Sequence, residues 1–385
     1  MKKEITFIYM DSAEKNMYTP IAQEAERRGY AVTMTEDKFA KCEIGFYCQH
    51  INFPQYSKFS VIMLHDIIQQ YGNWPDIWYR EPWNKYDVGI LPSNQWEKNW
   101  NTSSQSFYTR PRKGIYKIGW PKVDSVAKLN KEDYKKDFYV EHGLDPNKKT
   151  ILYAPSWEND GKQDEFVQAM LKLDVNILVK QAAVSPEKFP DMAKAIEQMY
   201  ALHKDNPRVT LLDPKLNIFN AILASDVLVS EESSTMCEAM MMGIPSVSVS
   251  DWLIPDCTPS RYPECNYDFV IMTKKAELTD CVQRIIENYD EQMKIAEKYR
   301  DDTFPNIGCS ASMIMDIVDD CVAGKPIRYQ ALTPAKKVSL GFGKWLKHRL
   351  FQFKQTIYHN YCVQSKFVAG MWKFMRAGKK LLTGK

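Results

Sequence analysis

From Ala224 to Val249 the chain reads ASDVLVSEESSTMCEAMMMGIPSVSV, and this stretch constrains the fold more than any other. The apolar run Val227–Ser230 predicts a buried strand. A hydroxyl-rich turn, Glu231–Thr235, leads into a helix ending at Met242. Gly243-Ile244-Pro245 breaks that helix, and Ser246–Val249 predicts a second strand. Strand, turn, helix, break and strand in this order are the repeating unit of an open α/β sheet, whose ligands sit at the carboxyl ends of the strands.

The rest of the chain repeats the alternation. Strands are predicted at Ile5–Tyr9, Ala31–Thr35, Ile44–Tyr47, Val61–Leu64, Val88–Leu91 and Ile115–Ile118. A polar helix, Lys128–His142, ends near Gly143 and Pro146 and reads as an interdomain link. A second series follows, with strands at Ile151–Ala154, Asn176–Val179, Val209–Leu212, Val227–Ser230, Ser246–Val249 and Phe269–Met272. Short apolar runs between helices are what parallel sheets covered on both faces produce. At 385 residues the chain exceeds one ordinary core. The expected fold class is therefore α/β: two Rossmann-like domains facing a cleft, over 1–145 and 146–325, with an appendage over 326–385. No G-x-G-x-x-G follows the first strand, which argues against a dinucleotide oxidoreductase. Walker A, G-x-S-x-G and H-E-x-x-H patterns are absent too.

Hydrophobic residues make up 44% and charged residues 26%, an ordinary globular balance. The opening MKKEITFIYM has too short an apolar run for a signal peptide, and no run of 18 apolar residues occurs. Nine cysteines are scattered without a C-x-x-C or metal-like histidine spacing, so we expect reduced thiols, a cytoplasmic setting and no metal. Cys257 and Cys265 share one loop and could pair. Charge is unevenly placed. After Asp320 there is no acidic residue, while Cys321–Lys385 carries fourteen Lys and Arg; the remainder holds 37 basic and 48 acidic residues, a net of −11. An acidic body with a basic tail points to an anionic partner surface.

In the turn before Met236, Ser233 and Ser234 stand where a helix begins. Helix N-termini present unpaired N–H groups and a partial positive charge, so the pattern suits a phosphate, with Glu238 one turn on to meet a ribose. The plainer reading is N-capping by Ser233. The segment resembles the end of the donor domain of CDP-glycerol glycerophosphotransferases, the teichoic-acid primase and polymerase family. That family's S-D-x-L-x-T-D-Y-S-S-x-x-x-(D/E) is similar to Ser225-Asp226…Ser230-Glu231-Glu232-Ser233-Ser234…Glu238. Three further segments resemble family patterns in the same order. Leu64-His65-Asp66 resembles W-H-G, Gly119-Trp120-Pro121-Lys122-Val123-Asp124 resembles G-x-P-R-x-D, and Leu152-Tyr153-Ala154-Pro155-Ser156-Trp157 resembles L-Y-A-P-T-W.

The resemblance implies the GT-B architecture. It also implies attack of an acceptor hydroxyl on the β-phosphorus of CDP-glycerol, with release of CMP and no cofactor. His65, at the end of Val61–Leu64, suits a general base, with Asp66 and Gln69 near enough in sequence to orient it. His50 is the second candidate, and a structural histidine is the plainer reading of His65. Phosphate charge falls to Ser233, Ser234, the N–H groups of Thr235 and Met236, and the strand-end cations Lys122 and Lys180. Pro155 and Trp157 suit a base pocket; Trp157 equally suits a core. The chain departs from the family in three places. Lys180-Gln181-Ala182 stands where the family often carries a histidine, the glycine and lysine of the family's W-H-G-x-x-x-K are Asp66 and Gln70, and the tyrosine of D-Y-S-S is Glu232.

In the tail, Phe342, Trp345, Leu346, Leu350, Phe353 and Ile357 fall at helical spacing with Lys347, Arg349 and Lys354 between them. Phe367, Val368, Met371, Trp372 and Met375 form a second face beside Lys373, Arg376, Lys379 and Lys380. Basic amphipathic helices with aromatic residues lie in membrane interfaces, so we expect a peripheral protein on the cytoplasmic face, binding an anionic surface through Trp345, Lys347, Arg349, Phe353, Trp372, Lys373 and Arg376. The alternative is a helix pair docked on the body. Charge alone also suits RNA, but no RNA-binding motif accompanies it, and no nucleic-acid partner is expected. The expected partners are a nucleotide-activated donor and a lipid-linked or polysaccharide acceptor. A GT-B glycosyltransferase using an NDP-sugar, or a non-catalytic glycan- or lipid-carrier-binding subunit, are the competing functions.

Overall fold

The computed structural model describes residues 2–10, 12–48, 52–65, 67, 78, 81–105, 109–231, 233–252 and 270–336, and in the tail 342–343, 346, 349–350, 353–354, 365, 367–368 and 370–371. Among the described residues twelve strands form two six-stranded sheets in which every neighbouring pair is parallel.

The first sheet comprises β1 (Glu4–Ile8), β2 (Ala31–Thr35), β3 (Cys42–Cys48), β4 (Ser57–Met63), β5 (Val88–Leu91) and β6 (Ile115–Lys117), in spatial order β2-β1-β3-β4-β5-β6. The second comprises β7 (Thr150–Tyr153), β8 (Asn176–Val179), β9 (Val209–Leu211), β10 (Val227–Ser230), β11 (Ser246–Val249) and β12 (Val270–Thr273), in order β12-β11-β10-β7-β8-β9. Strands β5, β7, β8, β10 and β11 are buried at every position. That is why they read as unbroken apolar runs rather than alternating ones. Strand order reverses between β1 and β3 in the first sheet and between β7 and β10 in the second. These two switch points are where ligands of open α/β sheets bind.

Helices α1 (Ser12–Arg27) and α2 (Asn94–Ser104) accompany the first sheet, and α3 (Lys131–His142) links the domains. Asn130 caps α3 by accepting from the N–H groups of Glu132 and Asp133, and Gly143 ends it in the left-handed conformation at φ 64°. The second domain adds α4 (Lys162–Met170), α5 (Pro190–His203), α6 (Ile218–Ala224), α7 (Thr235–Met241), α8 (Leu278–Glu287) and α9 (Tyr289–Thr303). Two helices escaped the sequence reading, α2 and α10 (Ser310–Val322). In α2 Trp96 and Trp100 carry the buried face among polar neighbours, so its apolar stripe is thin.

Helix α10 returns to the first domain. The Arg28 guanidinium at the end of α1 donates to Asp316 and Asp319, both at 2.7 Å, and to the carbonyl and hydroxyl of Ser312. The chain then runs along the first sheet. Leu332 N–H donates to the Ile115 carbonyl at 2.8 Å, Ala335 N–H to the Ser104 hydroxyl at 3.0 Å, and Arg110 to the Ala335 carbonyl at 2.8 Å. The linear division at 325/326 thus cuts a segment, 310–336, whose contacts lie with the first domain.

The segment Gly119–Asp124 is the hub of this crossover. Gly119 has φ 120°, and a Cβ there would lie 2.5 Å from the Pro305 carbonyl oxygen and the Ser310 hydroxyl. Asp124 accepts from Ala311 N–H at 2.6 Å, at the start of α10. Burial pushes the Asp124 carboxyl up to about 6. Asp226, also within the quoted motifs, is structural in the same way. It accepts from Thr150 N–H and from the Lys135 ammonium, both at 2.8 Å, and fastens α3 to the second sheet at the end away from the switch point.

Candidate active site

At the first switch point three side chains converge from three elements. Glu14 comes from the first turn of α1, Cys48 ends β3, and His65 follows β4. Glu14 is fully buried. Its Oε2 accepts from Met10 N–H at 2.6 Å and its Oε1 lies 3.5 Å from His65 Nδ1. Ligand atoms of Glu14, Cys48 and His65 all lie within 4.8 Å of one another, the one grouping of that kind among the described residues, and these three could hold a metal ion. No spacing in the sequence announces them, because they lie in separate elements. Asp66, Gln69 and His50 lie outside the described residues. The carboxylate beside His65 is one that the sequence reading did not name.

At the second switch point the turn after β10 meets the loop after β7. Glu231 is fully buried and binds that loop: its Oε1 accepts from Ser156 N–H and the Ser156 hydroxyl at 2.8 Å and from Trp157 N–H at 3.1 Å. The Lys162 ammonium stands 3.8 Å from the same oxygen. The hydroxyls of Ser230 and Thr235 both donate to the Ala154 carbonyl, at 2.7 and 3.1 Å. Beneath them the Glu158 carboxylate accepts from Tyr153 OH, Gln181 Nε2 and Gln163 N–H, and burial pushes it above the usual carboxylate range. Glu231, Glu158 and Lys162 were not among the residues picked from sequence. Only Glu231, in the aspartate position of the D-Y-S-S pattern, carried a signal.

The Ser-Ser turn is organised locally. Thr235 N–H donates to the Ser233 hydroxyl at 3.2 Å and Met236 N–H to the Ser233 carbonyl at 3.3 Å. Both N–H groups expected to meet a phosphate are therefore engaged inside the turn, and Ser233 does the capping. Ser234, the N-cap residue of α7, makes no capping bond with its side chain and is half-buried. Pro155 is buried. Trp157 is half-buried and packs edge-on against Phe189, ring centroids 5.6 Å apart.

Positive charge enters from two sides. The Lys122 ammonium, in the turn after β6, reaches Glu238 of α7 at 2.6 Å and lies over the Trp120 ring. Glu238, expected to face a ribose, is engaged by this lysine. Lys180, at the end of β8, is buried and donates to the carbonyls of Pro214 at 3.0 Å and Gln181 at 3.3 Å. Burial lowers it to about 8, and the Lys122 charge pushes the same way, against the opposing pull of Glu238 and Asp213. Lys122, Lys180 and Glu238 thus form one electrostatic cluster beside the Ser-Ser turn: two ammonium groups and one carboxylate. Such a cluster can bind an anion.

The family described as CDP-Glycerol:Poly(glycerophosphate) glycerophosphotransferase matches residues 76–301, more than half of the chain. The chain belongs to this family. It is a transferase. No curated protein sequence matches it. Among solved structures it is similar to the wall teichoic acid polymerase TagF soaked with CDPG, at 16% identity and TM-score 0.59, covering 84% of this chain and 89% of that one. It is also similar to MnaA of S. aureus in its UDP co-structure, at 13% identity and TM-score 0.59, covering 86% and all of that chain. A glycosyltransferase from Rickettsia africae matches at 14% identity and TM-score 0.51, over 83% and 99%. At these identities the structures share the fold, two parallel-sheet α/β domains of the GT-B type.

Within this family member, the tail is described in part. Trp345, Lys347, Trp372, Lys373 and Arg376 lie outside the described residues, as do Cys257 and Cys265. Arg349 is exposed, and so are Phe342, Leu346, Leu350, Phe353, Phe367 and Met371, with Phe342 at 74%. No helix among the described residues is long and apolar enough to cross a membrane.

Proposed function

We propose that this glycerophosphotransferase-family protein transfers glycerol phosphate, or a related polyol phosphate, from a CDP-linked donor to a hydroxyl of a lipid-linked or polysaccharide acceptor. The acceptor oxygen attacks the β-phosphorus. The bond from that phosphorus to the bridging oxygen breaks, and its electron pair leaves with CMP. His65 Nε2 takes the acceptor proton. Phosphoryl transfer needs positioning and charge stabilisation more than covalent help. Lys122 and Lys180 supply the charge, with the hydroxyls of Ser233 and Ser234 beside them. Pro155 and Trp157 border the nucleotide.

One observation carries this reading: the Lys122–Glu238 pair and Lys180 meet beside the Ser-Ser turn at the switch point of the second sheet. A diphosphate entering there meets two ammonium groups and competes with Glu238 for Lys122. The test is titration calorimetry of the full chain with CDP-glycerol, CDP-ribitol, CMP and UDP-sugars. CDP-linked polyols are expected to bind more tightly than UDP-sugars, and Lys180→Met to weaken them at least tenfold. Tighter binding of a UDP-sugar would move the protein to glycosyl transfer.

The tail adds an anionic membrane surface. Fourteen basic and no acidic residues follow Asp320, and among the described tail residues Phe342, Leu346, Leu350, Phe353, Phe367 and Met371 are exposed. Each Lys or Arg near an anionic leaflet contributes roughly 1 kcal/mol. On this reading the enzyme works at the cytoplasmic face of the membrane, where a lipid-linked acceptor is reached by lateral diffusion.

A further inference from the structure

We infer that Glu14 is the positioning residue for His65, fixing the imidazole with its proton on Nδ1 and its lone pair on Nε2. The inference rests on His65 acting as the base, and it deepens that reading by naming the group that orients it.

Three features carry it. Glu14 is buried completely, so a charged carboxylate there requires polar partners. Its Oε2 is held by Met10 N–H at 2.6 Å, which fixes the plane of the group and leaves Oε1 toward His65 Nδ1 at 3.5 Å. Both residues sit where the first sheet switches direction, Glu14 on the helix leaving β1 and His65 at the end of β4. A carboxylate at Nδ1 sets the tautomer and stabilises the imidazolium that forms as the acceptor gives up its proton. Catalytic contacts of this kind are often long without substrate and tighten when it binds. The other titratable groups around the pair are Cys48 at the end of β3, Tyr18 one turn along α1, and Lys38 after β2. Lys38 and Glu14 attract one another, and Cys48 and Glu14 both disfavour ionisation of Tyr18. Glu14 is thus the acidic group nearest His65 among the described residues.

Two measurements on the full chain test this. In histidine-labelled protein, heteronuclear NMR is expected to show His65 as the Nδ1–H tautomer, and Glu14→Gln to shift it to a mixture with Nε2–H. In CMP release from CDP-glycerol with a lipid-linked glycerol phosphate acceptor, Glu14→Gln is expected to lower kcat about 10²-fold. The donor KM stays unchanged, the acid limb of the pH–rate profile moves to lower pH, and Glu14→Asp restores part of the rate. In a His65→Ala background, Glu14→Gln should cost nothing further, since the two act as a unit. Equal NMR spectra for parent and Glu14→Gln, or additive losses in the double variant, overturn the inference while leaving His65 as base. A His65→Ala enzyme with parental turnover overturns the base reading itself. Turnover abolished by EDTA and restored by zinc assigns Glu14, Cys48 and His65 to a metal ion and overturns the positioning role. Should Glu14→Gln fail to fold, Glu14→Asp carries the NMR comparison.

Discussion

Lys122 of the first domain and Glu238 of the second meet at 2.6 Å, both nearly shielded from water, with Lys180 close by. The contact joins the domains at the point where a donor's phosphates are proposed to sit. Truncating one member of a buried pair strands the other. Lys122→Met is therefore expected to lower stability by ~3 kcal/mol, and Lys122→Met with Glu238→Gln to recover most of it. Denaturant unfolding of the three variants checks this, and equal midpoints would mean that the pair contributes nothing.

Lys180 is expected to give the proposed donor site a pH dependence. With its pKa lowered to about 8, the ammonium is charged below that pH and neutral above it. CDP-glycerol affinity should fall as pH rises from 7 to 9, and Lys180→Met should bind weakly with no fall over the same range. Titration calorimetry across that window is the check.

Asp124 is shifted by burial too, in the opposite direction, and the consequence is for stability. Burial raises its pKa to about 6, so the folded state holds the proton more tightly than the unfolded chain. Stability from this group is full below the ordinary carboxylate range and is lost as pH rises toward about 6. Asp124→Asn keeps an acceptor for Ala311 N–H without the charge. Relative to the parent, the variant should gain stability between pH 4.5 and 7, by about 2–3 kcal/mol for roughly two pK units. A difference that is flat with pH would contradict the assignment.

The tail prediction depends on where the chain is cut. Ending at 330 removes the bonds of Leu332 and Ala335 to the first domain, and should destabilise the body. Ending at 336 should leave a folded, nucleotide-binding protein that no longer sediments with anionic vesicles. The full chain should sediment with them, less so at high salt. Unfolding of the 1–336 protein would show the tail to be part of the core.

Strands were legible because those buried on both faces read as apolar runs in any context; most predicted boundaries fall within a residue or two of those observed. The switch points followed from the alternation only as a class of location. What occupies them was legible in part. Lys122, Lys180, Ser233 and Glu238 were named from sequence and come together, but their hydrogen-bond partners were not foreseeable. Glu238 meets a lysine more than a hundred positions away, and the Thr235 and Met236 N–H groups are consumed inside their own turn. Glu14 escaped notice because a carboxylate in the first turn of a helix is ordinary; only the sheet brings it to His65. Helix α10 was missed, and its return to the first domain rests on Arg28, Asp316 and Asp319, a pairing invisible to local pattern.

The central claim is transfer from a CDP-linked polyol, and incubation of the full-length protein on anionic vesicles with doubly labelled CDP-glycerol and a lipid-linked glycerol phosphate acceptor tests it most directly. The account predicts one CMP released for each labelled glycerol phosphate joined to the acceptor, with both products lost in Lys180→Met and slowed about 10²–10⁴-fold in His65→Ala. Intact CDP-glycerol alongside sugar transfer from a UDP-sugar would contradict it.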